Sequence, residues 1–432
     1  MENSINKFVL DIGNKNVKLL AGELDGSGEK LKVLSYAQVK TQGMRKNVIE
    51  NPIVLSECIK EAVKLVQDET HLTVDKVSLG YGGTNIFSRT KNIKIDFGNE
   101  ITITKKEVEK LFEIAKQELG NPDEELLESE IYNAKVNNGG PTKNPIGMTG
   151  RFFQADIHLI FIKKDDLNEL IETVHRADLE IESITLNAYA AARATLKDED
   201  KKSGVALIDI GGGTTDIIIY KNNKLIYTKS LPLGGNHYVS DLGYIYNLTP
   251  EEAQSIIEKT ASINDGKYIL KNKRLDVKAV SDAINARSTD FINFIRNVID
   301  ESGFQGYLEK GIFLTGGVTK MDDMFGWINI KIGYPVTRVS PLKLEGITNP
   351  SPEMSVCIGI LLEIMEKEYL EIKRQEKAKL EKLNAMKEKT TSDSIQEESS
   401  KNTEVETTNQ DETNEKKESL LKNLKKLFSN FI

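Results

Sequence analysis

The chain has 432 residues, of which 39% are hydrophobic and 29% charged, and a net charge of −8 at pH 7. That length requires more than one core, and the acidic balance excludes nucleic acid as an expected partner. Two cysteines, Cys58 and Cys357, far apart in apolar helical contexts, and four histidines without ligand-like spacing exclude a disulfide framework and a structural zinc site. The opening MENSINKFVL enters a strand with no cationic-then-apolar leader, and no run of 18 apolar residues occurs, so any membrane contact is expected to be peripheral.

In chain order, residues 7–39 read as two or three strands. The first bend follows Asp11 and Gly13 with the polar run Asn14, Lys15, Asn16, and a second turn lies in GELDGSGEKL. Residues 51–70 carry apolar side chains at 55, 59, 62, 63 and 66, the spacing of an amphipathic helix, and 76–83 returns to strand. Alternation of this kind predicts an α/β layer architecture. From 84 to 162 the pattern changes to short strands (91–97 and 155–162) around one helix, 105–119, which predicts an inserted α+β subdomain.

The stretch VALIDIGGGTTDIIIY, 205–220, is a strand, a glycine turn and a second strand. Gly211, Gly212 and Gly213 have no Cβ, so their backbone N–H groups can turn toward an anion, and Thr214 and Thr215 add hydroxyl donors. Asp209 and Asp216 flank the bend and suit Mg²⁺ held through water. Farther on, 249–261 predicts a helix with Thr249 as N-cap and Pro250 in its first turn, and 275–303 a long amphipathic helix ending at Gly303. The run IFLTGGV, 312–318, is a third strand ending in paired glycines, Gly316 and Gly317.

Three such glycine turns in this order resemble the actin-like ATPase superfamily. The resemblance makes Asp11, Gly13 and Asn14–Asn16 a first phosphate loop, 209–216 a second, and Thr315–Val318, with Gly316 and Gly317, the adenosine loop. LNAYAAARATL (186–196) and PEMSVCIGILL (352–362) look like the two interdomain connecting helices. LPLGGNHYVSDLG (231–243), with Gly234 and Gly235 assigned to the nucleotide site, and NPIGMTG (144–150) resemble the FtsA family of bacterial division proteins in particular. The likeness spans 5–370. It implies a two-lobed actin-like fold of duplicated ribonuclease-H-like subdomains, with the first lobe core at 1–83, 163–190 and 343–372 and the inserted subdomain at 84–162. The second lobe core is then 191–224 and 304–342, and its small subdomain 225–303. ATP and Mg²⁺ are the implied ligands, with Asp11, Asp209 and Asp216 around the metal.

The site also departs from its family. Hydroxyl residues after the first-loop glycine are replaced by Asn14 and Lys15, an acidic residue of the first connecting helix by Asn187, and a basic residue after Pro250 by Ile257, with Lys259 on another face. A family glutamate is Asn285. No residue stands out to position an attacking water, so ATP binding is expected with slow turnover at most.

Beyond Met365 the chain becomes charged. Residues 366–389 suit a solvated helix; 390–415 hold eight acids against one lysine, net −7, and predict disorder with a reach of roughly 28 Å. The last stretch, KKESLLKNLKKLFSNFI (416–432), carries five lysines and one glutamate. On a helical wheel Leu420, Leu421, Leu424, Leu427, Phe428, Phe431 and Ile432 share one face with Lys425 at its border, the pattern of an interfacial membrane helix drawn to anionic lipid.

The resemblance implies a filament-forming adaptor at the cytoplasmic face of the cell membrane at the division site. It binds the FtsZ C-terminal peptide, its own copies, and other division proteins through the inserted subdomain. Arg274 and Arg287 are the residues expected to meet the FtsZ peptide, since arginine pairs bidentately with carboxylates. The pilus-assembly relative of FtsA is the alternative, and it normally lacks such a tail. A small-molecule kinase would need a catalytic aspartate and sugar site, and a chaperone a substrate domain after residue 370.

Overall fold

The computed structural model describes residues 4–394, apart from 46 and 261. The acidic stretch from 395 and the amphipathic stretch 416–432 therefore lie outside the described residues.

Two five-stranded sheets share one plan. In the first, strands Ile5–Ile12, Asn16–Leu24 and Leu31–Lys40 form an antiparallel meander, and Lys76–Tyr81 and then Glu180–Leu186 add in parallel beside Ile5–Ile12. In the second, Val205–Ile210, Thr215–Lys221 and Lys224–Leu231 form the meander, with Ile312–Thr315 and Val336–Arg338 in parallel on the other side. The leading strand of each is buried over most of its length, as befits an aliphatic run covered on both faces.

Helix Pro52–Thr70 covers the first sheet through Leu55, Ile59, Ala62, Val63 and Val66. It starts where the Asn51 side chain accepts from the Ile53 and Val54 N–H groups, with Pro52 in the first turn, and stops at His71 in the left-handed region. Between the lobes two helices cross: Asn187–Thr195, whose five alanines are all buried apart from solvent, and Ser355–Ser394. The approach is so close that a Cβ on Gly359 would lie 1.8 Å from the Ala190 carbonyl oxygen.

The insertion is a three-stranded antiparallel sheet with Thr149–Lys163 between Ile86–Thr102 and Glu124–Val136, covered by helix Lys105–Leu119. The two expected short strands are thus 17 and 15 residues long, and the third, EELLESEIYNAKV, escaped the sequence reading because its charged, half-buried face shows no clean alternation. Ile93, Ile95, Leu111, Phe153, Ile157 and Phe161 give the insertion a core of its own. The sheet also touches the second lobe, where Ser88 donates to the Thr228 carbonyl at 2.7 Å and Lys224 pairs with Glu130 at 2.9 Å.

Helices Asn236–Tyr246, Pro250–Ile257 and Val277–Ser302 surround a small three-stranded sheet over 262–276 in the second lobe. Thr249 and Glu252 close a capping box at the expected start, but the helix ends at Ile257, short of 261, because Lys259 takes a left-handed φ of 55°. The final helix runs to Ser394, five residues into the stretch expected to be disordered, because Thr390–Ser394 simply extend its last turns. Among the described residues, no helix is long and apolar enough to cross a membrane.

Candidate functional site

The two glycine turns meet face to face. Each belongs to a hairpin, one per lobe. A Cβ on Gly213 would lie 2.4 Å from the Asn14 side chain, and one on Gly212 would lie 3.0 Å from Lys15 Cβ. Asp11, Gly13–Asn16, Asp209, Gly211–Thr214, Asp216, Gly316 and Gly317 line one cleft between them, with Lys18, Asn47, Asn187 and Glu353 completing it.

Register explains the carboxylates. Asp209 and Asp216 are cross-strand partners in the second hairpin, and Asp11 is the cross-strand partner of Lys18 in the first. Lys18 Nζ lies 2.8 Å from Asp11 Oδ2, and Asn187 donates to Asp11 Oδ1 at 3.3 Å. Burial opposes the charge on Lys18, but the Asp11 carboxylate prevails and holds the ammonium protonated well beyond its usual range. Asp209, by contrast, is pushed up to about 7 by burial, with Asp216 and Asp11 adding repulsion. Burial pushes Asp216 up to about 6.

Two carboxylates that resist ionisation and two buried oxygens without a partner, Asp216 Oδ1 and Asn187 Oδ1, make a site short of positive charge and of donors. A hydrated divalent cation supplies both, so the residues fit one. Among the described residues no three His, Cys, Asp or Glu side chains are placed to ligate one ion directly.

Other expected site residues have different places. Gly234 and Gly235 sit behind the second phosphate turn, not in the cleft: Gly235 N–H donates to the Gly211 carbonyl at 2.9 Å and Asn236 N–H to Gly212 at 2.8 Å. A Cβ on Gly234 would overlap the Gly211 and Gly212 carbonyls at 2.6 and 2.5 Å. Their part is to brace the turn. Thr215 is fully buried and its hydroxyl donates to the Leu233 carbonyl at 2.8 Å, so only Thr214 faces the cleft. Gly316 needs its left-handed φ of 91°, where a Cβ would come within 2.2 Å of Asp209 Oδ1.

Lys18 was missed by the sequence reading, although its place opposite Asp11 across a three-residue turn was a usable signal. Asn47 gave none; it arrives from a distant loop, its N–H donating to Asn14 Oδ1 at 2.8 Å and its side chain to Thr214 at 3.3 Å. Of the expected partner residues, Arg287 is already held by Asp241, with one contact of 2.9 Å, while Arg274 is exposed on strand Lys273–Asp276.

Comparison with known proteins agrees with this geometry. The family described as "Cell division protein FtsA" matches residues 206–432, and "SHS2 domain inserted in FTSA" matches 83–161. The cell division protein FtsA of Neisseria meningitidis serogroup B is 27% identical over 371 residues, covering 82% of this chain and 88% of that protein. FtsA of Escherichia coli strain K12 is 24% identical, with the same coverages. Among solved structures, a PilM-PilN type IV pilus biogenesis complex superposes with a TM-score of 0.62 at 16% identity over 83% of this chain and 98% of the other, a likeness of fold alone. With its duplicated sheets, its inserted subdomain and its paired glycine turns, this actin-like chain belongs to the FtsA family of cell division proteins.

Proposed function

We propose that this chain binds ATP with Mg²⁺ between its lobes, assembles with its own copies, and tethers FtsZ to the cytoplasmic face of the membrane through residues 416–432. The observation that carries the reading is the pair of glycine turns held face to face over Asp11, Asp209 and Asp216. Gly211–Thr214 and Gly13–Lys15 would hold the phosphates, with Lys18 and Lys15 as cations, and Gly316 and Gly317 would border the adenosine. Mg²⁺, when bound, neutralises the carboxylate cluster and the phosphate charge together. The chain's own residues then do the joining: the triphosphate contacts both turns and so links the lobes, stabilising the closed form by mass action.

The carboxylates of the cleft, Asp11, Asp209 and Asp216, are assigned to the cation, and the position that orients the attacking water carries no acid. Asn187 stands where the family has an acid, its amide nitrogen directed to Asp11 and its carbonyl oxygen without a partner, so it can orient water but cannot take its proton. The nucleotide is therefore read as a structural ligand with slow turnover. The FtsZ peptide is assigned to the small subdomain of the second lobe, where Arg274 is exposed and Arg287 would have to exchange Asp241 for a peptide carboxylate.

Reconstitution on vesicles tests the whole reading. The full-length chain with ATP·Mg²⁺ should carry FtsZ into the pellet with anionic vesicles. A chain ending at Glu415, and a Leu424→Glu/Phe428→Glu variant, should leave FtsZ in the supernatant. Equal pelleting by all three would refute the tether.

A further inference from the structure

We propose that Lys15 and Lys40 of the first lobe, held by Glu258 and Glu251 of the second, form an ionic latch across the mouth of the cleft that sets the rate of nucleotide exchange. The proposal rests on the nucleotide reading above. Lys15 Nζ lies 2.9 Å from Glu258 Oε1, and Lys40 Nζ lies 3.5 Å from Glu251 Oε1. The pairing is built by two regular elements. Lys40 ends its strand opposite Asn16, and the next residue's N–H, on Thr41, donates to the Lys15 carbonyl at 3.0 Å, so the two lysines stand on adjoining backbone at one edge of the lobe. Glu251 and Glu258 are seven residues apart on helix Pro250–Ile257 and its C-cap, two turns that return to the same face. Glu258 is further fixed by Gln254, whose side-chain amide donates to it at 2.6 Å.

The latch closes a space too small for its ligand. About 100 Å³ is free in the cleft, whereas nucleotide-sized pockets run to roughly 300 Å³ or more. The lobes must therefore part before a nucleotide enters or leaves, and both ion pairs span that parting. Lys15 also starts inside the phosphate gap, against Gly212, so Glu258 and a terminal phosphate compete for one ammonium. At 48% and 47% exposure for Lys15 and Glu258, and more for the other pair, neither bridge is strong. Weak, salt-screened pairs suit a gate that has to open.

Charge exchange at the outer pair is the test, because neither Lys40 nor Glu251 lines the cleft. Two readouts separate the latch from the nucleotide reading: hydrogen exchange of the segments containing 13–16 and 211–214 in the ligand-free protein, and release of a fluorescent ATP analogue. Lys40→Glu and Glu251→Lys should each raise exchange in both turns and speed release by about two- to fivefold at low salt, and the double variant should return both to wild-type values. Salt of about 0.5 M should bring the wild type to the rate of the single variants. If the analogue binds and neither readout responds, the latch is refuted and the nucleotide reading stands. If exchange responds but the wild type binds no analogue, the nucleotide reading falls, and with it the role in exchange.

Discussion

Asp209 and Asp216 face each other across the central hairpin, and both hold their protons more tightly than an ordinary aspartate. An acid whose folded pKa is raised binds more protons in the folded than in the unfolded state between the two values. The contribution of these two carboxylates to the stability of the ligand-free protein should therefore fall as pH rises from about 4 to about 7. Asp209→Asn keeps the shape and removes the charge, so it should stabilise the ligand-free protein at pH 8 by about 1–2 kcal/mol, a difference that vanishes as pH falls toward 4. The gain is set below the full linkage value because Asp209 keeps part of its surface toward the cleft. The same variant should lose ATP·Mg²⁺ binding at pH 8. Thermal melts across pH and calorimetry on one preparation check both halves; parallel stability curves for variant and wild type would show that the carboxylate is not strained. The cluster is thus expected to weaken the empty protein in order to bind a cation.

The two connecting helices pack on each other between the lobes, and their contact depends on small residues at the crossing. Gly359 allows the backbones to touch at Ala190, so Gly359→Val should drive the helices apart, cost about 1–3 kcal/mol or more, and weaken ATP binding without altering a residue of the cleft. Gly326→Ala, in helix Asp322–Lys331 where an added Cβ meets nothing, should instead stabilise by about 0.5–1 kcal/mol. Paired thermal melts and ATP titrations decide; if Gly359→Val behaves like Gly326→Ala, the close crossing is not needed. These elements were legible in the sequence because their signals are local: aliphatic runs broken by glycine, alanines on a helix, Thr249 and Pro250 at a helix start. Tertiary placement was not. That Gly234 and Gly235 brace the second turn is seen only once the turn is placed, and Thr215 looks like a cleft donor until its hydroxyl is found on the Leu233 carbonyl. Strand Glu124–Val136 stayed hidden because pairing with Thr149–Lys163, more than its own pattern, makes it a strand.

For the molecule as a whole, the proposed membrane attachment would act on the body through the long final helix. Its 40 residues span about 60 Å, and among those whose side chains are described burial is confined to the first turns, where Val356, Ile358, Ile360 and Leu361 join the first lobe's core. Residues 395–415 separate Ser394 from the basic stretch 416–432. On the proposed reading one such stretch would attach weakly: each lysine near an anionic surface contributes about 1 kcal/mol, and an apolar face somewhat more, against the cost of ordering the segment. Copies joined in a filament present many stretches to one surface, so that after the first attaches the next does so at a high effective concentration. Attachment should then depend on assembly, and assembly on nucleotide. Pelleting with anionic vesicles, measured as a function of protein concentration, should rise steeply with ATP·Mg²⁺ and reach half-saturation at a concentration lower by about tenfold or more than without nucleotide. Salt should weaken both curves, because the lysines supply the initial attraction. Leu424→Glu/Phe428→Glu should pellet under neither condition, since the apolar face is lost while the charge that remains is screened. Superimposable, non-cooperative curves with and without nucleotide would uncouple assembly from attachment and leave each copy of the chain to bind the membrane alone.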